Sequence, residues 1–161
     1  MAQAAKPIMT ISGLLCLLAL ATILAALAFE FIGGYVPCPL CLQQRYAYYF
    51  AIPAASAAWF AARLGANGAA RILLAVIAIA FLLNAGLGGF HSGVEWKLWE
   101  GPDTCATASD LQWGAGGVAD TPVVRCDEAP WRLLGLSFAG WNVVISLFLA
   151  GLAAFGATRR R

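Results

Sequence analysis

Charge is what this sequence has least of: only 11% of its 161 residues are Asp, Glu, Lys or Arg, against 61% that are hydrophobic, and the mean hydropathy is +0.78. That shortage excludes a single water-soluble core, because a chain of this size cannot remove so much apolar surface from water by folding on itself. No long polar run is left over to fold as a separate soluble catalytic domain. The formal charge is only +2 and no basic stripe interleaved with aromatics occurs, so a nucleic-acid partner is not expected. Histidine occurs once, at His91, and C-x-x-C occurs once, at Cys38 to Cys41; without a second half-site, zinc is a poor reading and no metal is expected.

What is abundant is apolar sequence in long pieces. Four intervals carry no charge, residues 7–29, 46–62, 72–90 and 133–158, and each is read as a spanning helix. The second is shortest; its 17 residues reach only about 25 Å as a helix, so that helix is expected to begin earlier, near Leu40. The expected fold class is an all-α membrane protein, a four-transmembrane-helix bundle forming one polytopic domain over residues 1–161, with spans at about 8–29, 41–62, 72–90 and 134–157. A cleaved signal peptide competes for the first interval, since Lys6 precedes it and Ala26, Leu27 and Ala28 resemble a small-x-small cleavage site. The run is longer than a usual signal core, however, and three more apolar segments follow.

Lys6, Arg63, Arg71 and Arg159 to Arg161 crowd short segments, whereas Arg45, Lys97, Arg125 and Arg132 are spread through two longer ones. The positive-inside rule then puts both termini in the cytoplasm and the loops at about 30–40 and 91–133 in the periplasm or its equivalent. All eight carboxylates fall on that outer side, which agrees but carries little weight in topology.

The cysteines follow the same division. Cys38, Cys41, Cys105 and Cys126 lie in the outward-facing segments from Glu30 to Arg45 and from His91 to Arg132, an oxidising setting that favours disulfides, while Cys16 sits among Leu and Ala and reads as an inert buried thiol. A C-x-x-C closes a very small ring and often marks a reactive disulfide rather than a stabilising one. Cys41 is expected near the start of the second helix, where the dipole and unpaired amides favour a thiolate, with Arg45 one turn on to support that charge or an anionic acceptor. The plainer readings are an interfacial anchor for Arg45 and an aromatic belt for Tyr46, Tyr48, Tyr49 and Phe50. Either way the C-x-x-C comes at the water–lipid boundary. Cys105 and Cys126 lie among Asp, Thr, Gly and Pro, where a soluble protein reaches them better or where they merely staple the loop. The stretch from Gly93 to Trp99 is read as lying along the membrane surface, although its apolar spacing is not cleanly helical.

These marks occur in a telling order: Pro-Cys-Pro-Leu-Cys-Leu-Gln-Gln-Arg at 37–45, His91 followed two positions on by Gly-Val-Glu-Trp, Gly-Pro-Asp-Thr-Cys at 101–105, and Arg-Cys-Asp-Glu-Ala-Pro-Trp-Arg-Leu-Leu-Gly-Leu-Ser at 125–137. Through most of its length the chain resembles the disulfide bond formation protein B family. The resemblance implies a four-helix bundle in the bacterial inner membrane whose C-x-x-C exchanges electrons with a membrane quinone, ubiquinone or menaquinone. It implies a loop pair that oxidises DsbA, a periplasmic thioredoxin-fold dithiol protein. Carried over by position, Cys105 takes the attack of the partner's thiolate and releases Cys126, and Cys126 attacks the C-x-x-C. An interloop disulfide from Cys126 to Cys38 then frees Cys41 as a thiolate against the quinone, with Arg45 supporting the charge. His91 is either structural or borders the quinone head group. The loop from Cys105 to Cys126 is somewhat shorter than in the best-known members, which bears on how the partner docks.

Partners of the DsbA type sit near about −120 mV and ordinary structural disulfides below about −300 mV, so transfer onto such a disulfide alone is uphill by roughly 8 kcal/mol. A strong terminal oxidant is needed. A vitamin K epoxide reductase-like enzyme also joins quinone chemistry to four helices, but there the quinone-side C-x-x-C belongs near a late helix, whereas here it precedes the second span. The remaining alternatives are a variant oxidase serving a dedicated partner and a non-catalytic membrane assembly protein whose two disulfides only brace its outer loops.

Overall fold

In a computed structural model of the chain, residues 2–102, 105 and 125–159 are described. Most of the loop between Cys105 and Cys126, together with Arg160 and Arg161 of the basic tail, falls outside them. Among the described residues, four long helices run in chain order: α1 (Ala2–Phe31), α2 (Pro39–Arg63), α3 (Asn67–Glu95) and α4 (Phe138–Thr158), with a two-stranded antiparallel hairpin, β1 (Arg132–Leu133) and β2 (Leu136–Ser137), leading into α4. Among the described residues, three helices are long and apolar enough to cross a membrane, over Ala5–Phe31, Asn67–Glu95 and Phe138–Thr158.

The surface is inverted relative to a soluble protein. Leu17, Leu24, Phe60, Ile72, Leu83 and Phe148 point outward and exposed, while the interior is built largely from small residues. Such an outer surface is stable only against lipid or another apolar partner. On α2 the inward face is Ala51, Ala54, Ala55, Ala58 and Ala62, packed with Leu15, Leu74, Ile77, Phe81 and Leu149 from the other helices. Small residues bring backbones close, which replaces the hydrophobic driving force that lipid removes. Gly88 shows this between α3 and α4: a Cβ there would meet Val143 Cγ2 at 3.0 Å and the Ala139 carbonyl at 3.2 Å.

Two local devices set the outer end of the bundle. The apolar run that the sequence offered as a span from about 134 starts as the hairpin, not as helix. Leu134 (φ 53°) and Gly135 (φ 83°) both take positive φ, the two-residue turn geometry that suits strand twist. Ser137 then caps α4 by accepting from the Gly140 amide. The segment after His91 also departs from the expected surface strip. Helix α3 continues to Glu95, the chain turns through Lys97 (φ 59°), and Trp99 folds back to stack on Phe90 at 5.9 Å and donate its indole N–H to the Phe90 carbonyl. Gly93 permits this hook, because a Cβ there would collide with the Trp99 ring.

Candidate functional site

The site begins with how α2 starts. Pro39 occupies the first helical position, where its missing N–H costs nothing, and Cys38 is the N-cap. The Cys38 sulfur accepts the otherwise orphaned amide of Cys41 at 3.2 Å, as a serine or aspartate oxygen would at a helix start. The same turn brings the two sulfurs to 2.8 Å, with neither cysteine in a disulfide. Cys38 is buried (3% exposed), whereas Cys41 is half-buried beside it.

The anion-favouring contacts of this turn go to Cys38. Its thiol is lowered to about 5, first by the hydrogen bond from the Cys41 thiol, then against the opposing effect of burial, with His91 adding a further donor. Arg45, one turn beyond Cys41, is half-buried and forms an ion pair with Glu30 at the end of α1. It lines the same cavity as both sulfurs without touching either among the described contacts.

The second pair has come to the first. Cys105 and Cys126 form a disulfide, and Cys126 is buried in one cluster with Cys38, Leu40 and Val94, with Cys41, Cys105 and Leu87 packed on it. Beside Cys126, Asp127 is held by Arg125 at 2.8 Å and by Lys97 from the turn after α3. Those two cations hold the Asp127 carboxyl well below the usual range. The strap ties the Cys126 segment to the end of α3.

His91 is buried (2% exposed) at the centre of the constellation. Its Nε2 lies 3.6 Å from the Cys38 sulfur and 3.9 Å from Glu95 Oε1, one helical turn on. Its Nδ1 faces Gln44 Nε2 at 2.9 Å. Gln44 also donates to the Leu40 carbonyl at 3.3 Å and accepts from Asn142 Nδ2 at 2.7 Å. Asn142 Oδ1 in turn accepts from the Tyr48 hydroxyl at 2.7 Å and from Asn84. A polar chain thus crosses α2, α3 and α4 beneath the sulfurs. Tyr48 faces inward to it while Tyr46, Tyr49 and Phe50 point outward, so the aromatic run splits between the two environments.

Above this chain opens a cavity of about 330 Å³ with both sulfurs, Arg45 and His91 on its wall. Its remaining wall is mostly apolar: Phe29, Trp131 and Phe138 pack together with ring centres 4.8 to 5.5 Å apart. An apolar slot with a few convergent polar groups suits a planar organic molecule. The Cys38 and Cys41 sulfurs and a His91 nitrogen also lie within 4.8 Å of one another, close enough to share a soft metal ion. Cys16 stands apart, its sulfur 3.4 Å from Ser56 Oγ between α1 and α2.

Sequence reasoning singled out the cysteines, Arg45 and His91 but passed over Gln44, Asn84, Glu95 and Asn142. A signal existed for the asparagines. Asn84 and Asn142 are lone amides inside apolar runs, and polar groups at such positions are costly unless they carry a partner or a function.

The family model described as Disulfide bond formation protein DsbB matches residues 9–156. A Disulfide bond formation protein B of Aromatoleum aromaticum is 30% identical, covering 80% of this chain and 79% of its own. Proteins of the same name from Methylococcus capsulatus and Marinobacter nauticus are 31% and 29% identical, covering 84% and 93% of this chain and 83% and 92% of theirs. No solved structure matches the chain.

Proposed function

Because the chain belongs to the disulfide bond formation protein B family, we propose that it is a protein-disulfide:quinone oxidoreductase of the bacterial inner membrane. In this reading all four helices span, both termini are cytoplasmic, and the cysteines face the periplasm. Its substrate is a reduced thioredoxin-fold protein of the DsbA type, and its electron acceptor is ubiquinone or menaquinone. The observation that carries the reading is the packing of Cys126 into one buried cluster with Cys38, beside an apolar cavity walled by both C-x-x-C sulfurs.

The chain's own groups have separable tasks. Cys105 is the partly buried member of the loop disulfide and receives the partner's thiolate; the Cys105–Cys126 bond breaks and the electron pair leaves on Cys126. With Cys38 and Cys41 joined, Cys126 attacks Cys38, and Cys41 departs as the thiolate. Burial of Cys126 against Cys38 supports that order, since proximity replaces a slow encounter. With Cys38 tied up in a disulfide, Cys41 is the free sulfur at the α2 N-terminus, where helix amides favour its charge. Arg45 supplies a fixed positive charge on the same cavity wall, and Glu30 orients it. His91 borders the same space. A quinone held there supplies the two-electron sink that protein sulfur lacks, and the apolar wall of Phe29, Trp131 and Phe138 fits its ring.

The purified protein with a quinone analogue is expected to reoxidise a reduced DsbA-type protein, and Cys41→Ala to abolish quinol formation. Absence of turnover in the unsubstituted protein would leave the two pairs as braces. Arg45→Ala is expected to raise the apparent KM for quinone by about tenfold, the worth of one charge-assisted contact, with a smaller effect on the KM for the dithiol protein. Equal effects on both would return Arg45 to the role of an anchor paired with Glu30.

A further inference from the structure

The contacts of the Gln44 amide bear on which nitrogen of His91 carries a proton. The Leu40 carbonyl can only accept, so the end of Gln44 that faces it at 3.3 Å is the NH2 group. That same nitrogen lies 2.9 Å from His91 Nδ1, and the opposite end, the oxygen, receives Asn142 Nδ2 at 2.7 Å. An NH2 group donates only, so Nδ1 must present its lone pair, and in the neutral ring the proton is then on Nε2. Nε2 is the nitrogen 3.6 Å from the Cys38 sulfur.

We propose that Gln44, braced by Leu40 and Asn142, is a positioning residue that locks His91 with its Nε2–H directed at Cys38, making the imidazole a hydrogen-bond donor to that sulfur whenever it carries charge. The inference rests on the reading of the site as a thiol–disulfide exchange centre and deepens it. The step it serves is the return of the interloop disulfide to the state in this structure, with Cys105–Cys126 bonded and Cys38 free. The Cys105 thiolate attacks Cys126, the Cys126–Cys38 bond breaks, the Cys105–Cys126 bond forms, and the electron pair leaves on Cys38. No oxidant is consumed, and the proton stays on Nε2 as a donor to the new thiolate. Cys38 sits nearly dry, where a leaving thiolate has little water to stabilise it and fixed donors matter most. Two come from opposite sides, the Cys41 amide at the helix start and His91 from α3.

Because His91 is the only histidine, histidine-selective 15N labelling of the untagged protein reports this ring alone. With the C-x-x-C reduced and no quinone or partner added, the spectrum is expected to show a pyrrole-type Nε2 and a pyridine-type Nδ1, one tautomer only. Gln44→Leu should mix the tautomers, and Gln44→Glu, whose carboxylate accepts, should move the proton to Nδ1. In Gln44→Leu the pH midpoint of Cys38 alkylation should rise by about one pH unit, one charged hydrogen bond's worth, while Gln44→Glu and Gln44→Leu both retain the Cys105–Cys126 disulfide. A wild-type spectrum with the proton on Nδ1, which would leave Nε2 free to join the sulfurs on a metal, overturns the proposal. So does a Gln44→Leu spectrum unchanged from wild type. The wild-type spectrum stands even if a variant fails to fold. Since neither readout uses turnover, an inactive oxidase would sink the functional reading without touching this one.

Discussion

At the scale of single residues, the two sulfurs of the C-x-x-C differ because a helix start treats its positions differently. Cys38, as N-cap, collects a backbone amide, a thiol and an imidazole, and these outweigh its burial. Sequence placed the favourable end of the helix at Cys41 because it is the cysteine inside the helix; the capping geometry hands the first amide to the residue before it. In the reduced protein, alkylation of Cys38 followed by mass mapping should rise with a midpoint near pH 5 rather than in the ordinary thiol range of about 8.5. The sign follows from the lowered folded value. The thiolate's contribution to stability is fully present above the ordinary range and is lost as pH falls through about 5. Cys41→Ala removes the largest cause and should return the midpoint toward the ordinary range; an unmoved midpoint would refute that cause.

Among the elements, α3 and α4 pack closely through Gly88, and that approach brings Asn142 toward the Gln44 amide that α2 sets beneath His91. Gly88→Ala is expected to cost about 1–3 kcal/mol, as overpacking does, read as a lowered midpoint in detergent-titrated unfolding. Gly86, two positions away on the same helix, has open space where a Cβ would go, so Gly86→Ala should be neutral or slightly stabilising. Equal costs at the two positions would mean that close approach is not what Gly88 provides. The helices themselves were readable, since uncharged runs of this length have few alternatives. Their ends were readable only in part. Helix α2 starts at Pro39, beside the Leu40 that the length of a span required, whereas α4 starts only at Phe138, because a two-residue turn and a capping serine decide an end that hydropathy averages over.

Across the whole molecule, an apolar exterior surrounds a polar chain that rises to the sulfurs at one end of the bundle. The proposed orientation predicts that, with native thiols blocked, Glu100→Cys reacts with an impermeant maleimide on intact cells while Leu64→Cys reacts only after permeabilisation. Both parent side chains are exposed, so burial does not confuse the result. The reverse pattern would remove the periplasmic chemistry. By itself, the sequence determined that the chain partitions into helical apolar segments and carries two cysteine pairs in the connecting loops, because composition and spacing are properties of a line. It did not determine that Cys126 lies against Cys38, that Arg45 pairs with Glu30, or that Gln44 sets the proton of His91. Those choices belong to the tertiary structure, since each polar group bonds whichever neighbour the packing of distant helices brings within about 3 Å, and that distance is written nowhere along the chain.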